Sequence, residues 1–158
     1  MRVLGVGLDL VDVGRFSRLL DSGGRRFLNR WFRTTEVQWL LDQEGTSRHT
    51  AALFAAKEAV LKSLGAPGPG PLRWREIEIV QGDSRVSVQF HASVRMLAEQ
   101  SRVIRCEASL MPGSRVASAV ALAFGDHGGS VDALPLRDLV DLTEEIALLH
   151  EVCMRSDR

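Results

Sequence analysis

Glu58 and Lys62 stand one helical turn apart inside Arg48–Gly65, RHTAALFAAKEAVLKSLG. On a helix that spacing sets one carboxylate beside one ammonium. The pair is either an ordinary surface ion pair or a point where an acid and a cation act together. A second acid, Asp9, lies in Gly5-Val6-Gly7-Leu8-Asp9. It shares one face of an alternating stretch with both glycines. Glycines weaken a strand, so two on one face point to close approach of another backbone or of a ligand. Without such a ligand, Asp9 is a solvated acid on a polar strand face.

The elements that must hold these groups can be read in turn. Val3 to Val13 alternates, with Leu4, Val6, Leu8 and Leu10 on the face expected to be buried. Asp12 to Asp21 reads as a short helix broken at Gly23-Gly24, and Thr34 or Thr35 can cap a helix from about Glu36 to Gln43. The residues of Arg48–Gly65 favour a helix, stopped by Gly65 and then Pro67. Leu53, Phe54, Val60, Leu61 and Leu64 form its apolar stripe; Ala52, Ala55, Ala56 and Ala59 form a second face of small side chains. A Gly-Pro loop follows. Strands are expected over Ile77–Val80, Val86–Phe90, Arg102–Leu110 and Val116–Phe124, with a helix at Ser93–Gln100. On the third of these strands Ile104, Cys106, Ala108 and Leu110 share a face. On the last, one face is all alanine, and it leaves room for the alanine face of the central helix. The expected fold is α+β: a small antiparallel sheet with a long central helix packed on it.

Residues 1–124 form this domain. Residues 125–158 read as a linker and an appended amphipathic helix, roughly Pro135 to Met154, with Leu136, Leu139, Val140, Leu142, Ile146, Leu149 and Val152 at helical spacing. That helix either packs on the core or makes a self-association surface.

Composition narrows the classes. A chain of 158 residues, 45% hydrophobic and 25% charged, can bury one core. Twenty basic residues balance twenty acidic ones, so no overall field favours nucleic acid or an anionic membrane. Phe27, Leu28 and Trp31 alternate with arginines between Arg25 and Arg33, a pattern that fits core packing with a basic rim better than nucleic-acid binding. No apolar run approaches the roughly 20 residues of a membrane span. Cys106 and Cys153 suggest neither a disulfide framework nor a zinc site. With a strand pattern starting at once and no signal peptide, the expectation is a cytoplasmic, reduced protein.

Gly5-Val6-Gly7-Leu8-Asp9-Leu10-Val11 followed by Phe54-Ala55-Ala56-Lys57-Glu58-Ala59-Val60-Leu61-Lys62 resembles the holo-acyl-carrier-protein synthases, the small group I 4′-phosphopantetheinyl transferases. Trp31 to Glu36 is similar to that family's F-T-x-x-E segment, and Trp74 to Ile79 to its D/E-I-E-V strand. The resemblance covers about residues 1–124. It implies transfer of phosphopantetheine from coenzyme A to a serine of an acyl carrier protein, with release of 3′,5′-ADP, in fatty acid or polyketide biosynthesis. It further implies Mg²⁺ held by Asp9 and Glu58, and Lys62 on phosphate. Either Glu58 or a metal-linked water would take the serine proton. A homotrimer with the coenzyme between subunits is implied, and a carrier protein received by Arg15 and the Arg18–Arg33 region.

Three positions depart from the family pattern. Leu53 stands where an arginine is usual. Met111 and Pro112 replace the hydroxyl and the histidine that close the S-L-S/T-H motif. Arg48, His49, Lys57 and Arg115 are the residues left to contact the coenzyme. The same losses also admit a repurposed enzyme acting on a carrier-bound or small substrate, or a non-catalytic carrier-binding subunit.

Overall fold

The computed structural model describes residues 1–66, 73–82 and 86–125. The expected C-terminal helix and the Gly-Pro loop lie outside the described residues. In chain order the elements are β1 (Arg2–Asp12), α1 (Val13–Trp31), α2 (Thr34–Leu41), α3 (Thr46–Ser63), a 3₁₀ turn (Arg73–Glu76), β2 (Ile77–Gln81), β3 (Val86–Phe90), α4 (Ala92–Gln100), β4 (Val103–Met111) and β5 (Val116–Gly125). The sheet is antiparallel, in the order β1-β5-β4-β3-β2. Helix α3 lies across β1, β5 and β4.

The seam between helix and sheet is made of small residues. In the β1–β5 register Gly5 faces Ala123, Gly7 faces Ala121, Asp9 faces Ala119 and Val11 faces Ala117. The four alanines of β5 are enclosed, as are Ala52, Ala55, Ala56 and Ala59 of α3. A β-carbon on Gly7 would run into the Ala59 carbonyl oxygen, and one on Gly5 into that of Ser63. The helix backbone therefore rests almost directly on β1.

This corrects the expected burial of β1. The glycine face takes the helix, and Val6, Leu8 and Leu10 lie on the opposite face, with Leu10 still 42% exposed, whereas the register shift between Val3 and Gly5 leaves Leu4 packed on the core side beside Gly125. Small residues win that side because only they let a helix backbone come so close.

Both ends of α3 are set locally. At its C-terminus Gly65 takes φ 64°, its N–H bonds to Lys62 O, and Ala66 N–H bonds to Leu61 O. This paired closure satisfies carbonyls that the helix leaves open. Helix α1 begins on Asp12, whose carboxylate accepts from Arg15 N at 2.6 Å, and is broken as expected at Gly24, whose φ 49° and ψ −136° are not helical, so that two helical segments meet there. Helix α2 differs from expectation. Thr34 and Thr35 lie inside its first turn and Arg33 is the boundary residue, its N–H donating to Glu36. The Thr35 hydroxyl is drawn to Glu78 instead. Ile104 is 65% exposed because β4 shifts register between Val103 and Arg105, which takes it off the face it would share with Cys106.

Candidate active site

Asp9 and α3 are brought together by the glycine–alanine seam. Lys62 does not pair with Glu58 on its own helix. Its Nζ crosses to β1 and donates to Asp9 Oδ1 and to Leu8 O, each at 2.8 Å. Glu58 accepts no hydrogen bond among the described residues. Burial pushes its carboxyl above the usual range, the negative charge of Asp9 adds to that push, and Lys62 opposes it. Two carboxylates and one ammonium thus meet where β1 and α3 touch. Oxygen donors of this kind suit a hard cation, which completes its shell with water or with ligand oxygens. No third acid, histidine or cysteine joins them among the described residues.

The other sequence-derived candidates lie elsewhere. Arg48 and His49 sit at the N-terminal end of α3, about 15 Å along the axis from Glu58 at 1.5 Å per residue. His49 Nδ1 is 3.2 Å from Gly45 O, and its ring meets Trp39 edge-on. Arg115 is on the β4–β5 turn, where its carbonyl accepts from Val13 N. Lys57 faces inward, fully buried, with Nζ 2.7 Å from Glu36 Oε2 and 2.9 Å from Trp74 O. A coenzyme contact from Lys57 is therefore set aside, because its ammonium has no path to a ligand. Leu53 is also fully enclosed.

The charges around Lys57 form a structural knot. Burial pulls the Lys57 pKa down, and Glu36 holds the proton on. Glu36 also accepts from Ile79 N through its other oxygen. Beside it Glu78 accepts from Thr35 at 2.6 Å and lies 2.8 Å from His91 Nε2 and 3.1 Å from Arg33 Nε. Burial alone would raise the Glu78 pKa, but these hydrogen bonds and the Arg33 charge outweigh it and hold the carboxyl below its usual range. Periodicity carries no sign of this knot, which joins residues more than 40 positions apart. The Leu8 carbonyl at the site is equally invisible in sequence, since any residue type could supply it.

A concave region lies along α1. Phe16, Leu19, Phe27, Trp31 and Phe54 line a groove of about 440 Å³, rimmed by Arg15, Arg26 and Arg30. Its floor is an aromatic cluster in which Phe54 stacks on Trp74 at 4.5 Å.

Comparison with protein-family models matches residues 5–121 to the 4′-phosphopantetheinyl transferase superfamily. A holo-[acyl-carrier-protein] synthase of Chlamydia muridarum is 34% identical over 121 residues, covering 77% of this chain and 94% of that protein. One from Geobacter sulfurreducens is 31% identical over 121 residues, covering 76% and 96%. Among solved structures, the holo-[acyl-carrier-protein] synthase of Neisseria meningitidis superposes with TM-score 0.69 at 23% identity, over 78% of this chain and 99% of that one. The synthase–coenzyme A complex of Chronobacterium ammoniagenes gives 0.64 at 26% identity, over 77% and 97%. The chain belongs to the holo-acyl-carrier-protein synthase family of 4′-phosphopantetheinyl transferases. No helix among the described residues is long and apolar enough to cross a membrane.

Proposed function

We propose that this protein transfers 4′-phosphopantetheine from coenzyme A to a serine hydroxyl of an acyl carrier protein and releases 3′,5′-ADP. The observation that carries the reading is the meeting of Asp9, Glu58 and Lys62 at the β1–α3 seam. Relatives that match most of the chain are named for this activity, and one homologous structure is described as a coenzyme A complex.

Asp9 and Glu58 would hold Mg²⁺. The fit rests on their donor chemistry and on the cation already drawn to Asp9. When bound, the ion would neutralise charge on the pyrophosphate of the coenzyme. Lys62 would add a hydrogen-bonding positive charge where the leaving phosphate becomes more negative. Glu58, with its raised pKa, or a water beside it would accept the serine proton. Arg48, His49 and Arg115 would reach the coenzyme from a neighbouring subunit of a homotrimer; within one chain Arg48 and His49 stand at the far end of α3 from Lys62. Leu10 and Met111 support such an assembly. Both lie opposite Ser118 on the sheet face turned away from α3, and they are 42% and 53% exposed. The groove along α1 would take an apolar contact of the carrier protein, with Arg15, Arg26 and Arg30 steering its acidic surface. The enzyme would act in the cytoplasm.

The test is incubation with apo carrier protein, coenzyme A and Mg²⁺, read by intact mass. Gain of one phosphopantetheine, lost in Asp9→Ala, is the expected result. A carrier protein that binds but gains no mass would favour a carrier-binding subunit, the reading that the enclosed Leu53 and the exposed Met111 also suit.

A further inference from the structure

We infer that Lys62 holds the place of the divalent cation in the metal-free protein, and that cation entry releases its ammonium toward the coenzyme phosphates. The inference rests on the reading of Asp9 and Glu58 as cation ligands.

Three observations carry it. First, Lys62 passes over its ordinary partner one turn away and reaches to β1, at 2.8 Å from both Asp9 Oδ1 and Leu8 O. A single positive charge thus already sits among oxygen donors of the kind a hard cation takes. Second, an ammonium and a metal ion cannot both bind Asp9 Oδ1 closely without strong like-charge repulsion. One must leave. Third, mobility decides which part yields. The Lys62 side chain is 52% exposed and the Asp9 side chain 17%. Lysine carries its charge on a flexible four-carbon stem, so it can swing out with no repacking of the seam. Asp9 is fixed on a strand pressed against α3.

Once displaced, the three N–H donors of Lys62 lose a carboxylate and a carbonyl together. Phosphate oxygens arriving beside the cation are the acceptors that replace them. Cation binding and phosphate binding are then coupled through one side chain, and the coupling is reciprocal.

The test is titration of the full-length protein with Mn²⁺ in the absence of coenzyme, following the free ion by electron paramagnetic resonance. Wild type is compared with Lys62→Met and Lys62→Gln, each checked for an unchanged melting transition. Both variants are expected to bind Mn²⁺ roughly tenfold tighter or more, because a competing charge is removed from a site of reduced dielectric. Equal or weaker affinity in both variants overturns the inference. Asp9→Asn separates it from the reading beneath it. If Asp9→Asn abolishes Mn²⁺ binding while the lysine variants bind no tighter, only the placeholder role falls. If Asp9→Asn binds as wild type does, or if no form binds, the cation site itself falls, and the inference with it.

Discussion

Glu58 is the residue in which stability and chemistry pull apart. Its carboxyl is half-buried, faces the charge of Asp9, and is held above its ordinary pKa. In the metal-free protein ionising it opposes folding. Between the ordinary glutamate value and the raised one, the folded form binds more protons than the unfolded form, so stability falls as pH rises through that window. Glu58→Gln is therefore expected to raise Tm slightly at neutral pH without metal. The gain should vanish as pH drops below the usual carboxylate range, where both residues are neutral. The same variant should lose phosphopantetheine transfer. Thermal melts across pH, beside the mass assay, check both halves; a lower Tm at neutral pH would count against the electrostatic picture. Gly7 is the complementary case. Gly7→Ala drives a methyl into the Ala59 carbonyl, so it should cost about 1–3 kcal/mol. Denaturant unfolding would measure that cost. By pushing Asp9 away from Lys62, the change should also lower transfer more than binding of the carrier protein.

At the scale of elements, the buried Lys57–Glu36 pair ties α3 to α2, β2 and the 3₁₀ turn. Removing one partner leaves an unpaired charge inside. Lys57→Met is expected to destabilise by about 3–5 kcal/mol, with part recovered in Lys57→Met/Glu36→Gln. Denaturant melts read this directly, and the residual folded enzyme should keep its turnover because Lys57 touches no reacting group. These elements were unevenly legible in sequence. The alanines of β5 and α3 announced each other, because small residues at strand and helix spacing leave few other partners. The glycines of β1 announced a close approach but not its direction, so the leucine face was expected inside. Lys57 misled for a related reason. Its neighbour Glu58 faces the site, and on a helix the next residue turns by about 100° away, into the interior. That Asp9 and Glu58 belong to one site rested on resemblance, while the ion pair of Lys62 with Asp9 was not expected, and the bond to Leu8 O had no sequence signal at all.

For the whole molecule, the outer sheet face sets the expectation. Leu10 and Met111 flank Ser118 of β5 there, one on each side. If that face joins subunits, Leu10→Asp should yield a folded monomer by sedimentation velocity at micromolar concentration, with transfer largely lost. An unchanged oligomer would place the contact elsewhere, and deletion of residues 126–158 would then show whether the appended segment holds the assembly.

The seam of glycine and alanine has one more consequence, for the way the protein comes apart. Backbones held in contact without long side chains between them have no intermediate spacing at which packing is only partly lost. Local opening of β1 from α3 should then be as rare as global unfolding, so that the meeting of Asp9, Glu58 and Lys62 and the fold disappear in a single cooperative event. Amide hydrogen exchange gives the measure. Those amides of Gly7 to Val11 that bond to β5, and those of Ala55 to Ser63, should exchange together, at the slowest rate among the described residues, and speed up in parallel as denaturant is added. Earlier release of β1 would mean that the site can dissolve while the rest of the sheet persists.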